Sequence, residues 1–436
     1  MTRRSAGAGG TVGPPRLNEV ARVARDAVLL SLGAIGGAAL SFLVWVYLAR
    51  ALPPADYGAL GAAVAFVALF QLFGDLGINY YAIREGAKDP SSATAVLRTL
   101  LGLKLAMLVG ATALVAALAL LLPFRATERG LVLAFLATLP ISGIANYLAC
   151  LLNVHRRMPR LAAIQVGERL AYAALVPPAV FLGLGVYGAV LAAVSSATLY
   201  LGLAIAAVRP LRSGPLWPPS AAATWRPHLA VAFQFGVAAL LVSVMQRVDV
   251  VLLAVLSDPT NLARYVAAAQ VFFLLLLIST AVAQAAFPWL VHRLHRGAMS
   301  LSTLAKWSAV LAVVSVAVGF AGFASAPLVF PFLFGADLGE GSAVFRILVW
   351  AFVPALATIP ASLALDALNL QKVHIANATV MAGINVALNL MWIPSMGATG
   401  AAWAAVASWG FGLFGGVPIA FAILRRHQGR LRTAPP

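Results

Sequence analysis

The stretch Gly185-Val-Tyr-Gly-Ala-Val-Leu-Ala-Ala-Val-Ser-Ser196 returns, with changes, as Gly397-Ala-Thr-Gly-Ala-Ala-Trp-Ala-Ala-Val-Ala-Ser408 near the end of the chain. Seven of the twelve positions are identical. Abundant alanine inflates that number, but the shared Gly-x-x-Gly does not depend on alanine. Three shorter pairs line up in the same way: Leu48-Ala49 with Leu253-Ala254, Gly58-Ala59-Leu60 with Ala263-Arg264-Tyr265, and Leu152-Asn153 with Leu368-Asn369. The second half of the chain therefore repeats the first.

The composition places this repeated chain in a membrane. Of its 436 residues, 62% are hydrophobic and only 10% are charged, whereas a soluble domain carries about 25% charged residues. A net charge of +17 alone would also fit a nucleic-acid-binding protein, but the cations lie in short clusters between long apolar runs. A run of about 20 apolar residues spans a bilayer. The sequence predicts an all-α integral membrane protein with about twelve spans and no nucleic-acid partner.

The repeat divides these spans into two six-helix lobes. Because each half has an even number of spans, both halves enter the membrane from the same side and form parallel repeats around a central cavity. Two charge-free runs are each long enough for two helices, and we predict breaks at Gly183–Gly188 and Pro394–Gly400. The predicted organisation is a disordered basic tail 1–26, an N-lobe 27–208, a linker 209–228, a C-lobe 229–424 and a basic tail 425–436.

The distribution of Lys and Arg predicts the orientation. Of the 30 such residues, four lie within spans and 22 lie in segments that face the cytoplasm if the N-terminus does. Positive residues concentrate in the cytoplasmic loops of membrane proteins. We therefore expect both termini in the cytoplasm. The four cations of the predicted outer segments are Arg50, Arg125, Arg129 and Arg264.

A family resemblance adds a function to this architecture. The stretch Tyr47-Leu-Ala-Arg-Ala-Leu-Pro-Pro-Ala-Asp-Tyr-Gly-Ala-Leu60, followed by Phe73-Gly-Asp-Leu-Gly-Ile-Asn79, resembles the polysaccharide-biosynthesis and O-antigen flippase family. Asp249-Val-Val-Leu-Leu-Ala254 fits the same pattern, whereas Ala263 stands where the family often has glycine. The family belongs to the multidrug/oligosaccharidyl-lipid/polysaccharide exporter superfamily. The resemblance implies two lobes, the bacterial cytoplasmic membrane, and a substrate made of sugars on polyprenyl pyrophosphate.

Ionisable residues inside spans are expensive and mark candidate functional sites. Arg247 and Asp249 lie deepest, in the seventh predicted span. Because residues two apart on a helix point in different directions, we expect no ion pair between them. We predict that Arg247 binds substrate in the cavity and that Asp249 orients a cation or takes up a coupling ion, with a structural ion pair to another helix as the alternative. The eight residues of this class are Asp75, Lys104, Glu168, Arg169, Arg247, Asp249, Arg346 and Asp366. Arg346 and Asp366 lie near predicted helix ends, where their side chains can reach water.

A diphosphate loaded from the cytoplasm needs cations near that side. Lys104 and Arg169 lie in the cytoplasmic third of their spans, and we predict that they form a loading site for phosphate oxygens. Glu168 is expected to hold Arg169 or Lys104 in place, with packing between the two spans as the alternative. Asp75 is a further candidate for a coupling or orienting carboxylate that pairs with Arg84 or Arg98 at the cytoplasmic mouth, with a structural turn as the alternative. Asparagine and glutamine inside spans, including Asn146, Gln246, Asn385 and Asn389, are candidates for sugar contacts or interhelical hydrogen bonds.

Three function classes remain open at this stage. The first is a flippase for a lipid-linked oligosaccharide, and the second is a cation-coupled multidrug antiporter of the same superfamily. The third is a membrane glycosyltransferase or polymerase, but the predicted outer loops are short. The sequence has no Walker A loop and no Cys/His cluster with metal-ligand spacing. We therefore expect no enzyme activity, cofactor or metal site, with H+ or Na+ left open as a coupling ion. The expected partners are membrane lipids and glycan-assembly proteins, and we expect a monomer.

Overall fold

The computed structural model describes the backbone of residues 17–218, 226–295, 300–368 and 370–433. Parts of the predicted tails and linker, namely residues 1–16, 219–225 and 434–436, lie outside the described residues. The helices, in chain order, are α1 (Leu17–Ala51), α2 (Pro54–Gln71), α3 (Ile78–Lys88), α4 (Ala93–Leu121), α5 (Ala126–Phe135), α6 (Thr138–Val154), α7 (Met158–Ala179), α8 (Gly185–Val208), α9 (Arg226–Leu256), α10 (Pro259–His295), α11 (Leu301–Phe334), α12 (Ala336–Gly339), α13 (Gly341–Leu348), α14 (Phe352–Ala357), α15 (Ile359–Ala367), α16 (Gln371–Phe411) and α17 (Val417–Thr433).

The described residues are mostly helical and form no strand. Eight of its segments are long and apolar enough to cross a membrane, so the protein is a multi-pass membrane protein. The count of twelve spans stays a prediction. The eight segments are Pro54–Gln71, Ala93–Leu121, Ala126–Val154, Met158–Leu211, Pro259–Arg293, Leu301–Phe334, Ala336–Ala367 and Gln371–Arg426.

Three helices extend beyond the boundaries that hydropathy predicts. Residues 17–26 of the predicted disordered tail belong to α1, which begins at Leu17. Helix α9 begins at Arg226 inside the predicted linker, and α17 continues to Thr433 inside the predicted C-terminal tail. Hydropathy marks only the part of a helix that needs an apolar environment. The backbone hydrogen bonds of a helix can continue past that part into polar sequence.

Two of the eight segments reverse direction at the predicted glycine-rich breaks. Gly185 has φ 54° and ψ −137°, and the repeat-equivalent Gly397 has φ 56° and ψ −132°. Only glycine adopts this region readily. The chain folds back after Gly397. This is shown by the hydrogen bond that Asn385 donates to Ser408 at 3.3 Å, although 23 positions separate the two residues. A straight helix would place these residues about 35 Å apart.

Corresponding helices of the two halves make corresponding contacts. Helix α1 packs on α7, and α9 packs on α16. Helices α2 and α10 cross where the repeat-equivalent residues Gly58 and Ala263 meet, since a Cβ atom on Gly58 would lie 3.0 Å from the Ala263 nitrogen. Equivalent residues of two parallel repeats touch each other only near the axis that relates the repeats. The α2–α10 crossing therefore lies close to that axis, between the lobes.

Two predicted outer arginines join the ends of the lobes. Arg50, near the end of α1, donates to the carbonyl of Leu333 at 2.9 Å and also to that of Phe332. Arg125 donates to the carbonyl of Ser257, which follows the last residue of α9. The last carbonyls of a helix lack intrahelical donors and carry partial negative charge. These contacts hold the lobes together at the end of the molecule that is predicted to face outward.

Candidate functional site

A cavity of about 420 Å³ lies between the two lobes. It is bounded by α2, the turn after α2, α3, α4 and α6 on one side and by α9 on the other. Its lining is rich in amides and charges, which is unusual for the interior of a membrane protein. The lining residues are Ala68, Gln71, Leu72, Asp75, Asn79, Lys104, Gly143, Asn146, Val242, Ser243, Gln246 and Arg247.

A turn in the second predicted span exposes Asp75 to this cavity. Helix α2 ends at Gln71, and the chain passes through Leu76 and Gly77, with φ 35° and 83°, before α3 begins. Asp75 lies in this turn and accepts the backbone N–H of Asn79 at 3.2 Å. The turn thus interrupts the helix at membrane depth where it borders the cavity, which is the place where irregular backbone is tolerated.

Lys104 pairs with Asp75. The Lys104 ammonium donates to Asp75 Oδ1 at 2.7 Å, and the lysine is only 1% exposed, whereas 28% of the Asp75 side chain is exposed. The expected partners of Asp75 were Arg84 or Arg98. Instead, Arg98 donates to the Pro218 carbonyl at 2.9 Å. Asp75 meets Lys104 because α3 and α6 both pack on α4, which brings the α2–α3 turn next to α4.

Arg247 lies on the α9 wall of the same cavity. Its guanidinium carbon stands 4.9 Å from the centre of the Phe273 ring, within the range of a cation–π contact. Among the described residues, no carboxylate lies within 4.0 Å of it. With Lys104 neutralised by Asp75, Arg247 is the unpaired charge among the three charged side chains of the lining. The cavity therefore attracts anions.

Asp249 points away from the cavity into the C-terminal half. It is 4% exposed and accepts hydrogen bonds from Tyr265 at 2.6 Å and Asn389 at 2.8 Å. The Asn389 amide also donates to the carbonyl of Asn385, whose side chain reaches Ser408. All these donors are neutral, and no cation of the described chain pairs with Asp249. As predicted, Arg247 and Asp249 do not pair.

The sequence contained a signal for the residues that surround Asp249. Asn385 and Asn389 are four apart in an otherwise apolar stretch, so they share one face of α16. Tyr265 carried no signal beyond its place in the repeat. Gln234, another amide in a predicted span, has its side chain outside the described residues.

Glu168 and Arg169 do not line the cavity. Both lie on α7, which packs against α1 and α8. The Cγ atom of Arg169 lies 3.4 Å from the position that a Cβ atom on Gly37 of α1 would take. No ion pair joins Glu168 to Lys104 or Arg169 in the described part of the chain. The structure thus brings Asp75, Lys104 and Arg247 together in one cavity but does not add Arg169 to Lys104. A packing role on α1 accounts for its position.

Residues 23–294 match the family described as polysaccharide biosynthesis protein. The chain belongs to this family. That match covers well over half of the sequence and confirms the resemblance seen in residues 47–60 and 73–79. No match was found among curated protein sequences.

Several solved structures share the fold of this protein. The lipid II flippase MurJ in an inward closed conformation superposes with a TM-score of 0.73 at 13% identity, over 91% of this chain and 87% of that chain. An inward-facing multidrug resistance MATE family transporter of the MOP superfamily gives 0.65 at 17% identity, over 90% and 96%. A MOP superfamily transporter from Pyrococcus furiosus, described as having a binding pocket of reverse polarity, gives 0.62 at 16% identity, over 94% and 96%. At these identities the likeness concerns the fold, and it confirms the predicted helical, two-lobed class.

Proposed function

We propose that this protein is a flippase that moves a glycan linked to polyprenyl pyrophosphate across the bacterial cytoplasmic membrane by alternating access. The observation that carries the proposal is the interlobe cavity, which combines an unpaired arginine with several amides. Arg247 offers a bidentate fork for phosphate oxygens. Gln71, Asn79 and Asn146 offer donors and acceptors for sugar hydroxyls.

Burial assigns different roles to the two cavity cations in this proposal. Arg247 is half-buried and meets the headgroup directly. Lys104 is buried behind Asp75, so it holds the carboxylate in place rather than contacting phosphate in this conformation. The contacts of Arg50 and Arg125 close the outer end, and transport requires them to break when the cavity opens on that side. The membrane anchors the polyprenyl tail throughout, so the cavity must open sideways between the lobes.

The first test replaces Arg247. Arg247→Ala should lower glycan export at least tenfold while the amount of folded protein in the membrane stays unchanged, because the headgroup loses its unpaired cation. Arg247→Lys should recover part of the activity, since it keeps the charge but loses the bidentate geometry. The measurement is surface glycan in cells that depend on this protein.

The matched control is Arg346→Ala. Arg346 is also an intramembrane arginine on an aromatic ring, 3.9 Å from the centre of the Phe323 ring, but it does not line the cavity. Normal export by Arg247→Ala, or an equal loss in Arg346→Ala, would contradict the proposal.

A second function has a specific observation in its favour. Asp249 is a buried carboxylate held only by neutral donors, which suits a group that binds H+ or Na+ during a transport cycle. This supports ion coupling of the flippase, and it also fits a cation-coupled multidrug antiporter of the same superfamily. Asp249→Asn keeps the shape and one of the two accepted hydrogen bonds but removes the charge.

The two functions predict different results for Asp249→Asn. In a coupled flippase, this variant should reduce glycan export and make the residual export insensitive to the ion gradient. In an antiporter, Asp249→Asn should abolish resistance to cationic dyes, and glycan export should not depend on the protein at all. Running both assays on Asp249→Asn and Arg247→Ala separates the two functions, since only the flippase needs Arg247.

A further inference from the structure

A second cavity, of about 390 Å³, lies within the C-terminal half between α15, α16 and α17. It shares no lining residue with the interlobe cavity. Helix α9 presents Gln246 and Arg247 to the interlobe cavity, whereas its Met245 packs with Met381 and Phe411 on the side of the second cavity. Its size is in the range of ligand sites.

The lining of this cavity is charged at one end and mostly apolar along its length. Leu365, Val380, Ala420 and Ile423 are among the apolar wall residues. The charged end is formed by Lys372 in the first turn of α16. Thr358, Ser362, His374 and Asn377 also line the cavity, so its wall is mostly but not wholly apolar.

Lys372 carries a positive charge that the described chain leaves unmatched. It is exposed, and no described carboxylate lies within 4.0 Å of its ammonium group. The nearby Asp366 is engaged by His374, whose Nδ1 lies 3.1 Å from its Oδ1. Arg425 and Arg426 are exposed on α17. They follow the reversal at Gly397 by about as many residues as Lys372 precedes it, so the hairpin brings them to the same end as Lys372. Lys372, Arg425 and Arg426 outnumber the single carboxylate of Asp366, so the mouth of the cavity is positive, and the charge pattern of the sequence predicts that it faces the cytoplasm.

The apolar part of the cavity borders the lipid-facing surface. Two of its wall residues, Val380 and Ile419, are 47% and 55% exposed. In a multi-pass membrane protein, large apolar side chains that are exposed at this depth contact hydrocarbon. A hydrocarbon chain can thus enter the cavity from the bilayer without crossing water.

We propose that this cavity binds an anionic phospholipid, with one acyl chain between α15, α16 and α17 and the phosphate beside Lys372. Basic pockets between transmembrane helices on the cytoplasmic side suit anionic headgroups. The mostly apolar length suits an acyl chain. The lipid would stabilise the hairpin of α16 and α17, which carries Asn385, Asn389 and Ser408. This site is independent of the proposed flippase function.

The test uses the full-length protein in nanodiscs with photoactivatable phosphatidylglycerol that carries a diazirine in one acyl chain. A phosphatidylcholine analogue with the same chain serves as the neutral-headgroup probe. Mass spectrometry of the digested protein locates the adducts. We expect phosphatidylglycerol adducts on cavity residues such as Ala376 and Ala420, in excess over phosphatidylcholine by about fivefold, the effect of one lysine on an anionic lipid.

Two variants make the test specific. Lys372→Glu should remove the excess of phosphatidylglycerol adducts. Lys372→Gln, which removes the charge without reversing it, should do the same and replaces Lys372→Glu if the charge reversal impairs folding. Lys306→Glu makes the same charge change at an exposed lysine that does not line the cavity, and it should leave the excess unchanged. Ala376→Trp should fill the apolar part and lower the labelling by both probes. The melting temperature in detergent controls for folding in each case.

Three results would overturn the proposal. The first is equal labelling of the cavity by the two phospholipids. The second is an unchanged excess in both Lys372 variants. The third is stronger labelling by a photoactivatable polyprenyl phosphate than by phosphatidylglycerol, which would assign the cavity to the substrate's tail.

Discussion

At the scale of the residue, the three charged side chains of the interlobe cavity differ in exposure, and this difference decides their roles. Lys104 is sealed behind Asp75, while Arg247 rests on Phe273 with no carboxylate of the described residues beside it. Asp249, two positions from Arg247, is held by Tyr265 and Asn389 in the interior of the C-terminal half. One turn of α9 therefore serves two separate environments.

The pair of Lys104 and Asp75 gives a prediction about stability. Asp75→Asn should destabilise the protein by roughly 3 kcal/mol, since it leaves the buried ammonium of Lys104 without a counter-charge. Lys104→Met should cost less, because Asp75 is partly exposed and keeps the N–H of Asn79. The double variant should be more stable than Asp75→Asn alone. Thermal unfolding in detergent measures this double-mutant cycle, and additive effects of the two single changes would contradict the ion pair.

At the scale of the element, the two hairpins that follow the Gly-x-x-Gly repeat have the same backbone turn. Gly185 and Gly397 share a conformation that side chains resist, and the second glycine of each motif lets two helices come close. A Cβ atom on Gly400 would lie 2.5 Å from the Trp392 carbonyl oxygen, and one on Gly188 would lie 3.0 Å from the Cβ of Leu184. The repeat in the sequence therefore encodes a repeated reversal of the chain.

These reversals predict the effect of replacing each glycine. Gly185→Ala should cost about 1–3 kcal/mol of stability, since nothing lies within 4 Å of the new methyl group and only the strained φ opposes it. Gly397→Ala should cost more, because its methyl group would also lie 2.8 Å from Asn261 atoms. Gly202→Ala is the control, in regular α8 with open space around it, and should stabilise by up to about 1 kcal/mol. Similar melting temperatures for Gly185→Ala and Gly202→Ala would argue against a conformational requirement at Gly185.

At the scale of the whole molecule, the two lobes meet along α2 and α10 and are tied at the predicted outer end by Arg50 and Arg125. Family membership, the fold and the cavity agree with the architecture that the repeat predicts. The lobe boundaries at 208 and 229 and the orientation in the membrane stay predictions. The roles of the cavity residues also stay predictions until variants are assayed.

The orientation can be tested with two single cysteines. In a Cys150→Ala background, Ser213→Cys and Ser257→Cys should react with a membrane-impermeant maleimide from opposite sides. Cys150 is buried and is the only cysteine in the sequence, so its removal leaves no other thiol. Ser213 follows α8 and Ser257 follows α9, and the two are separated by one predicted span. Labelling of both from the same side would refute the predicted topology.

The sequence by itself determined the membrane class, the duplication and the places where the chain reverses. These features follow from local physics, because apolar length reports bilayer crossing and a glycine at Gly185 or Gly397 permits a backbone that other residues resist. It also determined that Arg247 and Asp249 diverge, since helix geometry fixes their directions. Only the tertiary structure decided that Lys104 meets Asp75, that Arg169 packs on α1, and that Asn389 reaches Asp249. Periodicity gives the depth and the face of a side chain, but the neighbour across that face belongs to a distant part of the chain and depends on how whole helices pack.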